Sequence, residues 1–133
     1  MRRQILRTVG LILALLVAAA AGAQLAGQKS SEAGVTVRVT PRQIAAGAKT
    51  WDFNVALDTH SQELSDDLGK TTVLVDDRGV EYRPLAWEGQ GPGGHHRSGV
   101  LKFGAGDRIP EALEMRMQRP GEAKPRSFRW QLK

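Results

Sequence analysis

A two-residue rhythm limits what this chain can fold into more than any other feature. Along Thr50–Leu57 (TWDFNVAL), Trp51, Phe53, Val55 and Leu57 alternate with Asp52, Asn54, Ala56 and Asp58. Successive side chains of a strand point to opposite faces, so this pattern specifies a strand with one buried face. The same rhythm recurs in Val35–Thr40, in Leu113, Met115 and Met117, and in Phe128, Trp130 and Leu132. That parity assigns Met115 and Met117 to core packing. Thr71–Val75, Val80–Trp87 and Val100–Phe103 supply three further short strands, and Asp76-Asp77-Arg78-Gly79 turns one into the next. Pro41 is expected to end the first strand. Pro84 is expected to make a bulge or bend, because apolar parity shifts there from Val80 and Tyr82 to Leu85 and Trp87. Ser61–Gly69 has room for one helical turn, with Ser61 as its cap and Leu64 and Leu68 facing inward. About seven short strands separated by turn signals imply an all-β fold. The expected form is an immunoglobulin-like antiparallel β-sandwich over residues 35–133, with a small closed barrel as the alternative.

The chain begins differently. Arg2, Arg3 and Arg7 precede an unbroken apolar run, Leu11–Ala21, and Ala21-Gly22-Ala23 has the small-x-small form of a signal-peptidase site. Residues 1–23 are therefore expected to form a signal helix cleaved after Ala23, and 24–34 a flexible tether. Left uncleaved, Val9–Ala26 would anchor the protein in a membrane, although it barely reaches the roughly 20 residues a span needs. Arg2-Arg3 also resembles a twin-arginine signal, but its place beside Met1 and the strongly apolar run favour the general secretory route. The expected location is periplasmic or secreted. The 19 basic residues include those three arginines; without them 16 face 14 acidic residues, and the net charge falls from +5 to +2. Basic residues of the remainder are scattered, which excludes an electrostatic footprint for nucleic acid. The absence of cysteine removes thiol catalysis, Fe–S clusters and disulfides.

The chemistry-bearing residues gather in two stretches. Asp58 and His60 share the outward parity of their strand, with Cα atoms about 7 Å apart. His95 and His96 lie in the glycine-rich segment Glu88–Gly99; His96 takes the outward parity and His95 the inward one. Imidazoles with a carboxylate suit Cu(II) or Zn(II), so Asp58, His60, His95 and His96 are the candidate metal ligands. The plainer alternative is that the histidines bond backbone in a surface turn. Trp87, Glu88 and Arg97, at the mouth of the loop, are candidates for contact with a partner. Gly89-x-Gly91-x-Gly93-Gly94 is followed by neither a helix nor a Lys-Ser/Thr pair, so it does not form a phosphate cradle. No nucleophile-elbow motif surrounds Ser61, Ser65 or Ser98, and Glu63, Asp66 and Asp67 read as a solvated acidic loop. No enzymatic activity is expected.

Two runs carry a resemblance: Trp51-Asp52-Phe53 through Leu57-Asp58-Thr59-His60-Ser61, and Trp87-Glu88-Gly89 through Pro92-Gly93-Gly94-His95-His96-Arg97. Together they resemble a family of small exported or lipid-anchored bacterial and archaeal β-sandwich proteins with no established function. Gln28 stands where a lipidated cysteine would be, so lipidation is excluded here. In size, export and histidines on a β-scaffold the chain is more loosely similar to periplasmic copper carriers of the CopC type, which implies copper as a ligand. The expected function is an exported, non-enzymatic binding module that takes copper or zinc through histidines on loops. The alternative is an accessory protein-interaction domain of the cell envelope without metal, with membrane contact only through an uncleaved N-terminus.

Overall fold

A computed structural model describes residues 25–133; the expected signal segment 1–23 and Gln24 lie outside the described residues. The described chain is an all-β sandwich of two antiparallel sheets. Its strands are β1 (Gln28–Glu32), β2 (Val35–Gln43), β3 (Thr50–Thr59), β4 (Thr72–Asp76), β5 (Glu81–Tyr82), β6 (Pro84–Gly89), β7 (His96–Gly104), β8 (Ala112–Met117) and β9 (Arg126–Gln131), with one helical turn, α1 (Leu68–Thr71). One sheet runs β1-β2-β3-β7-β6 and the other β5-β4-β8-β9. Without β1 and β5, these orders are the A-B-E-D and C-F-G sheets of an immunoglobulin-like sandwich.

The alternating residues meet between the sheets. Val35, Val37, Val39, Trp51, Phe53, Val55, Leu57, Leu101 and Phe103 from one sheet pack against Leu74, Leu113, Met115, Met117, Phe128 and Trp130 from the other. Phe53 ties the layers together, its ring 5.7 Å from Phe103 in its own sheet and 5.5 Å from Trp130 across the core. Among the described residues, no helix is long and apolar enough to cross a membrane.

Four local expectations need correction. Within the expected tether, residues 28–34 form a hairpin arm instead, because Gln28–Glu32 pairs with Val35–Val39. β1 buries no side chain, which is why its sequence shows no strand rhythm. Instead, Arg126 donates to the carbonyls of Ser30 and Glu32, and Trp130 Nε1 to that of Ala26. Pro41 does not end β2. β1 stops opposite Val39, so β2 has a free edge beyond it, where a residue without an N–H is tolerated, and the register shifts between Pro41 and Gln43. Pro84 does more than bend a strand, since the chain crosses there from β5 in one sheet to β6 in the other. Val80 and Leu85, on either side of that crossing, are exposed rather than inward. The helical turn forms at Leu68–Thr71 instead of at Ser61, although Leu64 and Leu68 are both buried as expected.

Candidate functional site

β3 and β7 are neighbours, and their register sets Asp58 opposite His96. On the solvent face of the sheet, Asp58 Oδ1 meets His96 Nδ1. A carboxylate only accepts, so Nδ1 is the donor of this contact, which leaves Nε2 pointing away from Asp58. Both side chains are about half exposed, at 50% for Asp58 and 58% for His96.

The other two candidate ligands do not complete a cage. His60 lies exposed in the bend that follows β3. His95 is also exposed instead of inward, because it precedes β7, where strand parity does not yet hold; its carbonyl accepts from Thr59 N at 3.0 Å. Among the described residues, no group of three or more His, Cys, Asp or Glu side chains is gathered to hold a metal ion. The donor set thus fits one imidazole with a carboxylate behind it, and not the multi-histidine centre expected from the sequence.

Beside this pair, on the same face, lies an open groove of about 430 Å³. Arg38, Thr40, Asn54, Ala56, Ser98 and Val100 are among the residues that line it. Ala56 pairs with Ser98 two residues along each strand from Asp58 and His96, the next pair on the same face, so groove and pair are neighbours on one surface. A second depression of about 350 Å³ lies over β4, β8 and β9. Its Glu114 is already engaged by Arg116 and Arg129. Burial pushes the Glu114 carboxyl up, but hydrogen bonds from Arg116, Arg129 and Ser127 outweigh it and hold the group below its ordinary value.

The glycine-rich segment is built as a brace. Gly89 and Gly99 pair across β6 and β7, and a Cβ on either would lie within 2.7 Å of the other's backbone and within 2.9 Å of the Trp87 ring. The ring therefore lies against two bare backbones. Its Nε1 donates to Gln90 O at 2.9 Å. The Arg97 guanidinium sits 5.7 Å from the ring centroid, close enough for a cation–π contact. Arg97, read from sequence as a contact residue, is 1% exposed. It donates to the carbonyls of Gln90 and Leu64 and, at 2.7 Å, to that of Asp66. Gly93 N to Leu64 O and Leu64 N to Gly94 O lace the loop to the segment after β3. Trp87 is likewise committed to packing against the core. Of the three proposed contact residues only Glu88 faces solvent, paired with Lys102 at 3.3 Å.

The Arg97 brace continues into a charge network that the sequence reading missed. Asp66, expected in a solvated acidic loop, is fully buried and takes two hydrogen bonds of 2.9 Å from Arg119. Glu122 bridges Arg119 and Arg126, and Arg126 reaches the carbonyls of Ser30, Glu32 and Val35. Burial lowers the Arg119 pKa, but Asp66 and Glu122 raise it further, for a net rise. The Arg126 hydrogen bond holds the Glu122 carboxyl below its ordinary value against the opposing effect of burial. A signal was present in the sequence: Arg119 and Arg126 each take the next inward place beyond an apolar run, and Arg97 takes the second, past Gly99.

No family model and no curated protein matches this chain. Its fold is similar to the crystal structure of a DUF4426 family protein (PA0388) from Pseudomonas aeruginosa PAO1, with a TM-score of 0.51. The match covers 78% of this chain and 94% of that one at 13% sequence identity. At that identity the likeness shows the sandwich fold alone.

Proposed function

We propose that this protein is an exported, non-enzymatic binding module whose contact surface is the solvent face of the β1-β2-β3-β7-β6 sheet. The supporting observation is the groove lined by Ala56 and Ser98, next to the exposed Asp58–His96 pair. The partner is an envelope protein that offers hydrogen-bonding groups to Arg38, Asn54 and His96. A photo-crosslinking residue placed at Ala56 or Ser98 should give a discrete adduct in cells. One placed at Arg116, an exposed position of the opposite sheet, should not. Absence of an adduct at both groove positions overturns the reading.

A metal-dependent form is the second reading, favoured by the Asp58–His96 contact. A histidine whose Nδ1–H is held by a carboxylate presents Nε2 as a well-oriented ligand. Copper or zinc would bind at Nε2, with His60 or His95 drawn in from the adjacent bends. Titration with Cu(II) and Zn(II) should then show binding that His96→Ala abolishes and His60→Ala weakens. Binding no tighter than about 10 μM, roughly −7 kcal/mol, removes the metal and leaves the partner reading intact.

A further inference from the structure

We propose that β1 is exchangeable between two copies of this chain, each copy's β1 completing the other's sheet beside β2. Three observations carry this. First, the β1–β2 turn is strained. Its central residues, Ala33 and Gly34, have φ of 50° and 76°, and Ala33 is the one non-glycine residue with positive φ among the described residues. Positive φ at both central positions is the type I′ hairpin geometry, which suits Gly, Asn and Asp and penalises a Cβ. An extended hinge removes that penalty, and short strained hinges favour strand exchange.

Second, β1 is held by contacts that do not depend on its side-chain packing. None of its five residues is buried. It is fixed by its ladder with β2 and by Arg126, which donates to the carbonyls of Ser30 and Glu32. A β1 arriving from another copy presents the same N–H and C=O groups at the same places. Third, the receiving slot is oriented from outside β1. Arg126 is held by Glu122 and by the Val35 carbonyl, neither of them in β1. Among the described residues, exchange gives up the bonds of the closed turn itself: Gln62 donating to Ala33 O and Thr59 Oγ1 donating to Gly34 O. The ladder and the Arg126 contacts re-form in trans, so concentration decides between the two forms.

The chain has no cysteine, which makes the test direct. Ser31 and Thr36 face each other across the ladder with hydroxyls 2.9 Å apart. The double variant Ser31→Cys, Thr36→Cys of the full chain is refolded at low and at high concentration, oxidised, and run on a non-reducing gel. Exchange predicts covalent dimer at high concentration and intramolecular crosslink at low. Ala33→Gly, which relieves the strain in the closed form, should weaken the dimer on the order of tenfold. Ala33→Val, which cannot adopt positive φ comfortably, should strengthen it. The proposal is overturned if the crosslink stays within one chain at every concentration and in all three backgrounds. That holds even if light scattering finds a dimer, because such a dimer would be joined elsewhere.

Discussion

Arg119–Asp66 and His96–Asp58 each set a cationic or proton-donating side chain against a carboxylate, and they serve opposite ends. Arg119 and Asp66 are 3% and 0% exposed. Asp58 and His96 are about half exposed. Inside the sandwich each charge depends on its protein partners, because burial has removed the water that would otherwise solvate it. On the sheet face water solvates both groups, so the contact contributes little to folding and the imidazole stays available to a ligand. The carboxylate is thus scaffold in one place and a solvent-exposed group in the other, and burial makes the difference.

The largest effect that would test this contrast comes from Asp66→Ala, which leaves Arg119 buried against Glu122 alone. Losing one partner of a buried pair typically costs about 3–5 kcal/mol. Chemical denaturation should show a loss of that size; a loss no greater than an exposed pair produces would erase the contrast. Arg97→Met ranks next. It keeps the apolar stem but strands the carbonyl of Asp66, whereas Leu64 O keeps Gly93 N and Gln90 O keeps Trp87 Nε1. A buried group left without a partner costs about 1–3 kcal/mol, and here the cost should be local. Hydrogen exchange should accelerate at Leu64 and Gly93, whose amides close the loop contact, and remain slow in β3 and β8.

These arginines also show how much was legible in the sequence. The sandwich followed from alternation, and the residues packed between the sheets are the ones at inward parity. The same parity runs on to Arg97, Arg119 and Arg126, but a charged residue past the end of an apolar run reads as solvent-facing. Only the fold reveals that Asp66 and the carbonyls of two loops wait there. β1 was invisible for the opposite reason, being a strand with no apolar face. At the candidate site, parity correctly put Asp58 and His96 on one face. It failed for His95, expected inward but exposed, because that residue lies before the regular strand, where the two-residue rule has no force.

A smaller effect should appear with pH. The folded Glu122 and Glu114 carboxyls sit below their ordinary value of 4.5, so the folded state favours the ionised form of both. Their contribution is present in full above that value and is lost as pH falls through the lower, folded values. Thermal stability should therefore decline on acidification below about pH 4.5. Glu122→Gln should start less stable at neutral pH and fall less steeply. An unchanged acid slope in that variant would show that Glu122 does not carry charge between Arg119 and Arg126.

The smallest stability effect belongs to the exposed pair, and it is the most informative about function. Asp58→Asn and Asp58→Ala should each change stability by less than about 1 kcal/mol, the usual ceiling for an exposed ion pair. Their effects on binding should separate. Asparagine keeps an oxygen that accepts from His96 Nδ1, so the ring stays oriented while the negative charge is lost. Alanine removes both. If the surface acts through the orientation of Nε2, the Ser98 crosslink survives in the asparagine variant and fades in the alanine variant. If the partner reads the carboxylate itself, both variants lose it. Should neither change the adduct, recognition lies in the groove between Arg38 and Asn54, and the pair is only its neighbour.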